Sequence, residues 1–115
     1  MAIIRFQERR RYPRVNLRSN LHYKVRGSSD FGNALVRDIS AGGVGIISDR
    51  YIAPSSMLMT ELKLLSQVLH PVSRVASSFT LPHSERNRVG LEFLESSPQE
   101  KKYIQDYINL KTAQV

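Results

Sequence analysis

The sequence predicts a mainly β domain, a small antiparallel barrel or sandwich of six strands closed by one C-terminal helix. Three observations carry that expectation. Six segments show strand-like patterning and follow one another through turn residues, with no helical segment between them. One strong helix-start signal occurs, near the end of the chain. The length of 115 residues, 41% of them hydrophobic, fits one ordinary domain with its own core and leaves no room for a second.

The first strand is expected at Val15 to Val25, where Val15, Leu17, Leu21, Tyr23 and Val25 fall on odd positions and polar or charged residues fill most of the even ones. Gly27-Ser28-Ser29-Asp30 is a turn, and Phe31 to Ile39 is the returning strand of a hairpin. A second turn, Asp38-Ile39-Ser40-Ala41-Gly42-Gly43, leads into a short apolar strand at Val44 to Ser48. Asp49 to Ser56, with Pro54, reads as a loop. Met57 to Leu65 alternates as a strand would, although a short helix also fits its spacing. Val68 to Leu81 is read as one strand, ended by Pro82-His83-Ser84-Glu85. In the last strand, Arg88 to Phe93, one face carries Val89, Leu91 and Phe93.

The helix follows from Ser97-Pro98-Gln99-Glu100, which offers an N-cap serine, a proline at the first helical position and a glutamate placed for a capping box. Tyr103, Ile104, Tyr107 and Ile108 then recur at helical spacing. Such a stripe is far more often packed on its own domain than offered to a partner, so it is assigned to the core. The expected organisation is an arm over residues 1–14, a barrel over 15–95 and a helix over 96–111.

Charge is distributed unevenly. The net charge is +7, yet from Met1 to Arg26 eight Lys or Arg face one Glu, whereas from Gly27 to Val115 nine of each sign cancel. The whole excess therefore belongs to the arm and first strand, which points to an anionic partner bound there. Met1 to Arg14 has no helical or strand period and carries Glu8-Arg9-Arg10-Arg11-Tyr12-Pro13-Arg14, where Pro13 biases Tyr12 towards extended geometry. It is read as a flexible basic arm. Cysteine is absent, which excludes disulfides and thiolate metal sites and is compatible with a reducing compartment. Arg5 interrupts the apolar start Met1-Ala2-Ile3-Ile4, so neither a signal peptide nor a membrane span is expected.

The arm and the Asp38 turn together give the chain a resemblance. An Arg-x-x-x-Arg arm followed by Asp/Asn-x-Ser-x-x-Gly is the signature of the PilZ domain, a bacterial receptor module for cyclic di-GMP. Arg10 to Arg14 and Asp38 to Gly43 match it at every signature position. Val89-Gly90-Leu91-Glu92-Phe93 and the helix after it also resemble the family's ending, so the likeness runs from about residue 8 to about 110. It implies a six-stranded antiparallel β-barrel with a C-terminal helix, and a cytoplasmic receptor of a second messenger with no cofactor of its own.

The ligand explains the residue types. Cyclic di-GMP presents two guanines and two phosphates, and the arginine fork can stack on a base, donate to guanine O6 and N7, or neutralise phosphate. Arg10 and Arg14 are assigned to guanine and phosphate groups, with Arg9 and Arg11 adding charge or stacking. The Asp38 carboxylate accepts from the N1 and N2 edge of guanine, and Ser40 can donate to phosphate or accept from a base nitrogen. Gly42 and Gly43 are read as allowing close approach to the backbone. By the same resemblance, an arginine just before the motif, here Arg9, favours an intercalated pair of ligands over a single one. A chain this short is expected to have no output module of its own, so a partner protein is expected to read the signal.

Each feature has a plainer reading when taken alone. An arginine run is most often a solvated arm or a nonspecific nucleic-acid contact, and Asp-x-Ser-x-x-Gly is most often a turn. Two other functions therefore stand beside the receptor: a protein adaptor without nucleotide, and a small barrel binding single-stranded nucleic acid. Catalysis is not expected. His22, His70 and His83 are isolated, Gly42-Gly43-Val44-Gly45 is no phosphate loop, and no nucleophile, base and orienter can be nominated. No metal site is expected either.

Overall fold

The computed structural model describes residues 12–113, and within them the expected class is realised: a closed six-stranded antiparallel barrel with one C-terminal helix. The strands are β1 (Val15–Val25), β2 (Phe31–Ser40), β3 (Gly43–Ser48), β4 (Met57–Leu64), β5 (Gln67–Leu69), β6 (Val72–Thr80) and β7 (Asn87–Glu95). The helix, α1, is Pro98–Ala113. The sheet order is β1-β2-β3-β7-β6-β4, and β4 pairs back onto β1 through Leu21 opposite Leu62 and Val25 opposite Leu58. That pairing closes the barrel and removes the free edges an open sheet would expose.

Alternation decides each strand's inner face. On β1, Leu17, Leu21 and Tyr23 point inward while Arg18, Asn20, His22 and Lys24 face solvent. β4 buries Leu58, Thr60, Leu62 and Leu64 in strict alternation, which settles as a strand the segment whose spacing also allowed a helix. Ile39, Val44, Ile46, Val75, Val89 and Leu91 complete the core from the other strands.

One expected strand is divided. The segment Val68 to Leu81 breaks at His70-Pro71 into β5 and β6. Pro71 has no N–H to give a ladder, and its buried carbonyl accepts the Thr60 hydroxyl at 2.6 Å instead. β5 thus pairs only with β4, as a short flap beside the barrel.

The helix packs against the barrel core. Ser97 caps it by accepting the Glu100 N–H at 3.1 Å. The Glu100 carboxylate, expected to complete a capping box, accepts the His70 N–H at 2.8 Å and so ties the helix start to the β5–β6 bend. Ile104, Tyr107 and Ile108 are buried against the barrel, and the Tyr103 hydroxyl donates to the Leu64 carbonyl at 3.2 Å. The stripe read from the sequence is core.

Candidate functional site on the glycine-floored barrel face

The site follows from register. Ser40, Gly43, Glu92 and Arg74 lie side by side across β2, β3, β7 and β6. One pleat further along, Asp38, Gly45, Gly90 and Ser77 form a second row across the same four strands. Val44, Ile46, Val89 and Leu91 occupy the inner face, so both rows face outward. Three of the eight outward positions are glycine. The middle of this barrel face is therefore bare backbone, with polar side chains on its two banks.

A cleft of about 800 Å³ opens over this floor, within the range of small-molecule sites. Tyr12, Arg14, Ser40 and Gly42 line it on one side, Arg74, Ser77 and Glu92 on the other. It is open to solvent rather than enclosed by apolar walls, which suits a large polar ligand.

On the near bank, Arg14 Nη1 donates to Asp38 Oδ1 at 2.6 Å. The last arginine of the arm motif thus meets the first residue of the turn motif across 24 positions of sequence. Gly45 makes room for this pair: a Cβ there would sit 2.7 Å from Asp38 Oδ1. The arginine side chain is 54% exposed and the aspartate 21%. An ion pair this wet contributes about 1 kcal/mol at most, so exchanging it for a ligand costs little.

Ser40 shapes the turn. Its buried hydroxyl accepts the Gly42 N–H at 3.2 Å and donates to the Gly43 carbonyl at 3.4 Å. At Gly42, a Cβ would come within 3.2 Å of the Tyr12 ring, so Tyr12 packs directly on the turn. Gly43 is constrained from another side. A Cβ there would stand 2.0 Å from the Leu91 carbonyl oxygen, which makes its smallness a requirement of strand packing whatever ligand lies above.

Of the residues singled out in the sequence, Arg14, Asp38, Ser40, Gly42 and Gly43 gather at this one bank. Arg9, Arg10 and Arg11 lie outside the described residues. Sequence reasoning missed the far bank, where Arg74 Nη2 donates to Glu92 Oε1 at 2.8 Å. Opposite charges at outward strand positions read as an ordinary surface pair. Only the placement of β7 between β3 and β6 turns that pair towards the glycine floor.

Among the described residues, the remaining polar side chains make no further centre. His70 lies 3.9 Å from Glu61 and from Glu100 at the β5–β6 bend, and His22 Nδ1 meets Asn33 Oδ1 on the outer face of β1 and β2. Among the described residues, no group of three or more His, Cys, Asp or Glu is placed to hold a metal ion. Nor is any helix among them long and apolar enough to cross a membrane.

Comparison with known proteins agrees with this architecture. A search of curated proteins returned no match. Among solved structures, the Bacillus subtilis inhibitor of motility MotI/DgrA superposes with a TM-score of 0.78 at 18% identity, covering 91% of this chain and 52% of that one. This chain thus spans about half the length of that protein. The PilZ domain of YcgR from Escherichia coli, solved with c-di-GMP, gives 0.69 at 20% identity over 87% of this chain and 88% of that one. PlzA from Borreliella burgdorferi, in complex with c-di-GMP, gives 0.64 at 15% identity over 93% and 44%. At these identities the likeness is one of fold. The PilZ domain family model matches residues 8–110, nearly the whole chain, and the chain belongs to that family.

Proposed function

We propose that the chain is a receptor for cyclic di-GMP, holding the ligand between its arginine arm and the glycine floor of the barrel. The observation that carries this reading is the Arg14–Asp38 pair, which joins the two signature motifs beside the cleft that Arg14 and Ser40 line. Family membership, and relatives solved with c-di-GMP, support the same ligand. In the bound state Arg14 turns its fork to guanine O6 and N7 or to phosphate, and the freed Asp38 carboxylate accepts from the guanine N1 and N2 donors. Ser40 turns its hydroxyl proton from the Gly43 carbonyl to a phosphate lying over Gly42 and Gly43. Arg10 and Arg11 bring further cations from the arm, and Arg9 accommodates a second, intercalated ligand.

No step of this reading is catalytic. Ligand binding orders the arm, and the ordering entropy is offset by charge-assisted hydrogen bonds of about 1.5–3 kcal/mol each. Tyr12 gives the signal a route outward. Besides facing the ligand cleft, it lines a second cleft with Phe93, Lys101, Lys102 and Gln105 beside α1. An arm drawn onto the ligand therefore remodels a surface that includes the helix, and a cytoplasmic partner protein reads that change.

Titration calorimetry with cyclic di-GMP tests the proposal, with GTP and a short single-stranded oligonucleotide as controls. Binding of the cyclic ligand alone, at two per chain, is the expected result, and Arg9→Ala reduces the ratio to one. Binding of the oligonucleotide without preference for the cyclic ligand would replace this reading with the nucleic-acid one. No heat from a folded protein would leave the adaptor.

A further inference from the structure

The two banks of the cleft carry the same chemistry. On β2 the Asp38 carboxylate stands with Arg14 at 2.6 Å, and on β7 the Glu92 carboxylate stands with Arg74 at 2.8 Å. Both pairs are partly exposed and both border the floor made by Gly43, Gly45 and Gly90. With only β3 between them, β2 and β7 lie two strand spacings apart, about 10 Å. The floor separating the pairs is glycine backbone, with the Asp38 carboxylate resting at Gly45 and the Ser77 hydroxyl at Gly90.

An arginine beside a carboxylate is a two-part reader of guanine. The guanidinium donates to O6 and N7, and the carboxylate accepts from N1–H and N2–H, whereas adenine presents an acceptor at N1 and an amino donor in place of O6. A carboxylate therefore faces a lone pair at adenine N1, an unfavourable contact. One such reader selects one guanine. Two readers on opposite banks fit a ligand with guanine at both ends.

We infer that Arg74 and Glu92 form a second guanine-reading pair, which makes the site selective for cyclic dinucleotides carrying guanine on both sides. This rests on the receptor reading and adds the base selectivity of the far bank. Of the two ligands proposed above, the one lying against the floor spans both banks: Arg14 and Asp38 read one of its bases, and Arg74 and Glu92 read the other. Until ligand enters, Arg74 and Glu92 satisfy one another, as Arg14 and Asp38 do. Both pairs exchange their mutual contact for the ligand at small cost because solvent already screens them.

The test is a matrix of calorimetric titrations using cyclic di-GMP, cyclic di-AMP and the mixed cyclic GMP–AMP. The wild type binds cyclic di-GMP about 10–100-fold more tightly than the mixed ligand, since one good bidentate reader is at stake. Glu92→Ala loses about that factor for cyclic di-GMP, while its affinity for the mixed ligand holds, so that the two become equal. Glu92→Gln keeps the side-chain shape, faces the donor edge with an amide and loses an intermediate factor. Arg74→Ala weakens cyclic di-GMP. All three changes fall on exposed or half-exposed outward positions, and their melting temperatures report that the barrel is intact. An unchanged ratio between cyclic di-GMP and the mixed ligand in Glu92→Ala, or wild-type affinity in Arg74→Ala, overturns the second reader and leaves the receptor standing. A wild type that binds none of the three ligands overturns the receptor reading and the second reader with it.

Discussion

Replacing Gly43 by alanine adds one methyl group in the worst place on the barrel face. The new Cβ would lie 2.0 Å from the Leu91 carbonyl oxygen, 3.1 Å from its carbon and 3.4 Å from the Glu92 Cα. Ordinary contact begins near 3.4 Å, so the shortest of these is too close by about 1.4 Å. No side chain can swing away, because every clashing atom is backbone. The strands β3 and β7 must part, which strains the Val44–Leu91 and Gly43–Glu92 pairings on either side. Overpacking of this kind costs about 1–3 kcal/mol, and weakening a ladder hydrogen bond adds about 1 kcal/mol. The sum is about 3 kcal/mol, or a fall in melting temperature of about 12 °C for a domain of this size. Urea denaturation and scanning calorimetry read both quantities. Gly45→Ala is the internal control, because its Cβ meets the mobile end of Asp38 at 2.7 Å and the carboxylate can move. That variant keeps its stability and loses ligand affinity. A Gly43→Ala protein within about 0.5 kcal/mol of wild type would refute the reasoning, since ordinary surface substitutions fall in that range.

Further outcomes follow from the same geometry. Arg14→Ala and Asp38→Ala each lower cyclic di-GMP affinity by one or two decades in a titration, with little change in melting temperature because their mutual pair is exposed. Ile108→Ala empties a position 1% exposed beneath α1 and costs about 2–5 kcal/mol by chemical denaturation. Burial pushes the Tyr107 phenol above its usual 10.0. The folded protein thus holds that proton more tightly than the unfolded chain, and the associated stability, complete below about pH 10, is lost as pH rises through the folded value. Melting temperatures measured across that window should fall less steeply in Tyr107→Phe. Amide hydrogen exchange over Glu8 to Arg14 should slow with saturating ligand, and unchanged exchange there would contradict an arm that closes.

How far the sequence could be read depended on whether the deciding contact was local. β1 announced itself because Leu17, Leu21 and Tyr23 fall on alternate positions broken only by Ser19, and α1 did so because Ser97 and Pro98 set its start. The break between β5 and β6 was visible only as His70-Pro71 inside an apolar run. The burial of Pro71 and its acceptance of Thr60, which make that break, depend on β4 lying alongside. The near bank was legible since Arg14 and Asp38 belong to motifs with fixed internal spacing. The far bank was not, because Arg74 faces the floor only through the order β3-β7-β6. Gly43 was legible as a required glycine for a reason that proved incomplete: the ligand was expected to need the space, and the Leu91 carbonyl already occupies it.

The chain holds six glycines, and their backbone amides offer the most direct test of where the ligand lies. Gly42, Gly43, Gly45 and Gly90 belong to the proposed site, whereas Gly27 sits in the β1–β2 turn and Gly32 lies on β2 beside Tyr23. A protein labelled with nitrogen-15 at glycine alone gives a two-dimensional NMR spectrum in which each can be followed as cyclic di-GMP is added. The four floor and turn amides should shift and saturate together while Gly27 and Gly32 stay in place. Movement of Gly27 and Gly32 with the other four unmoved would put the ligand elsewhere on the barrel and contradict the account.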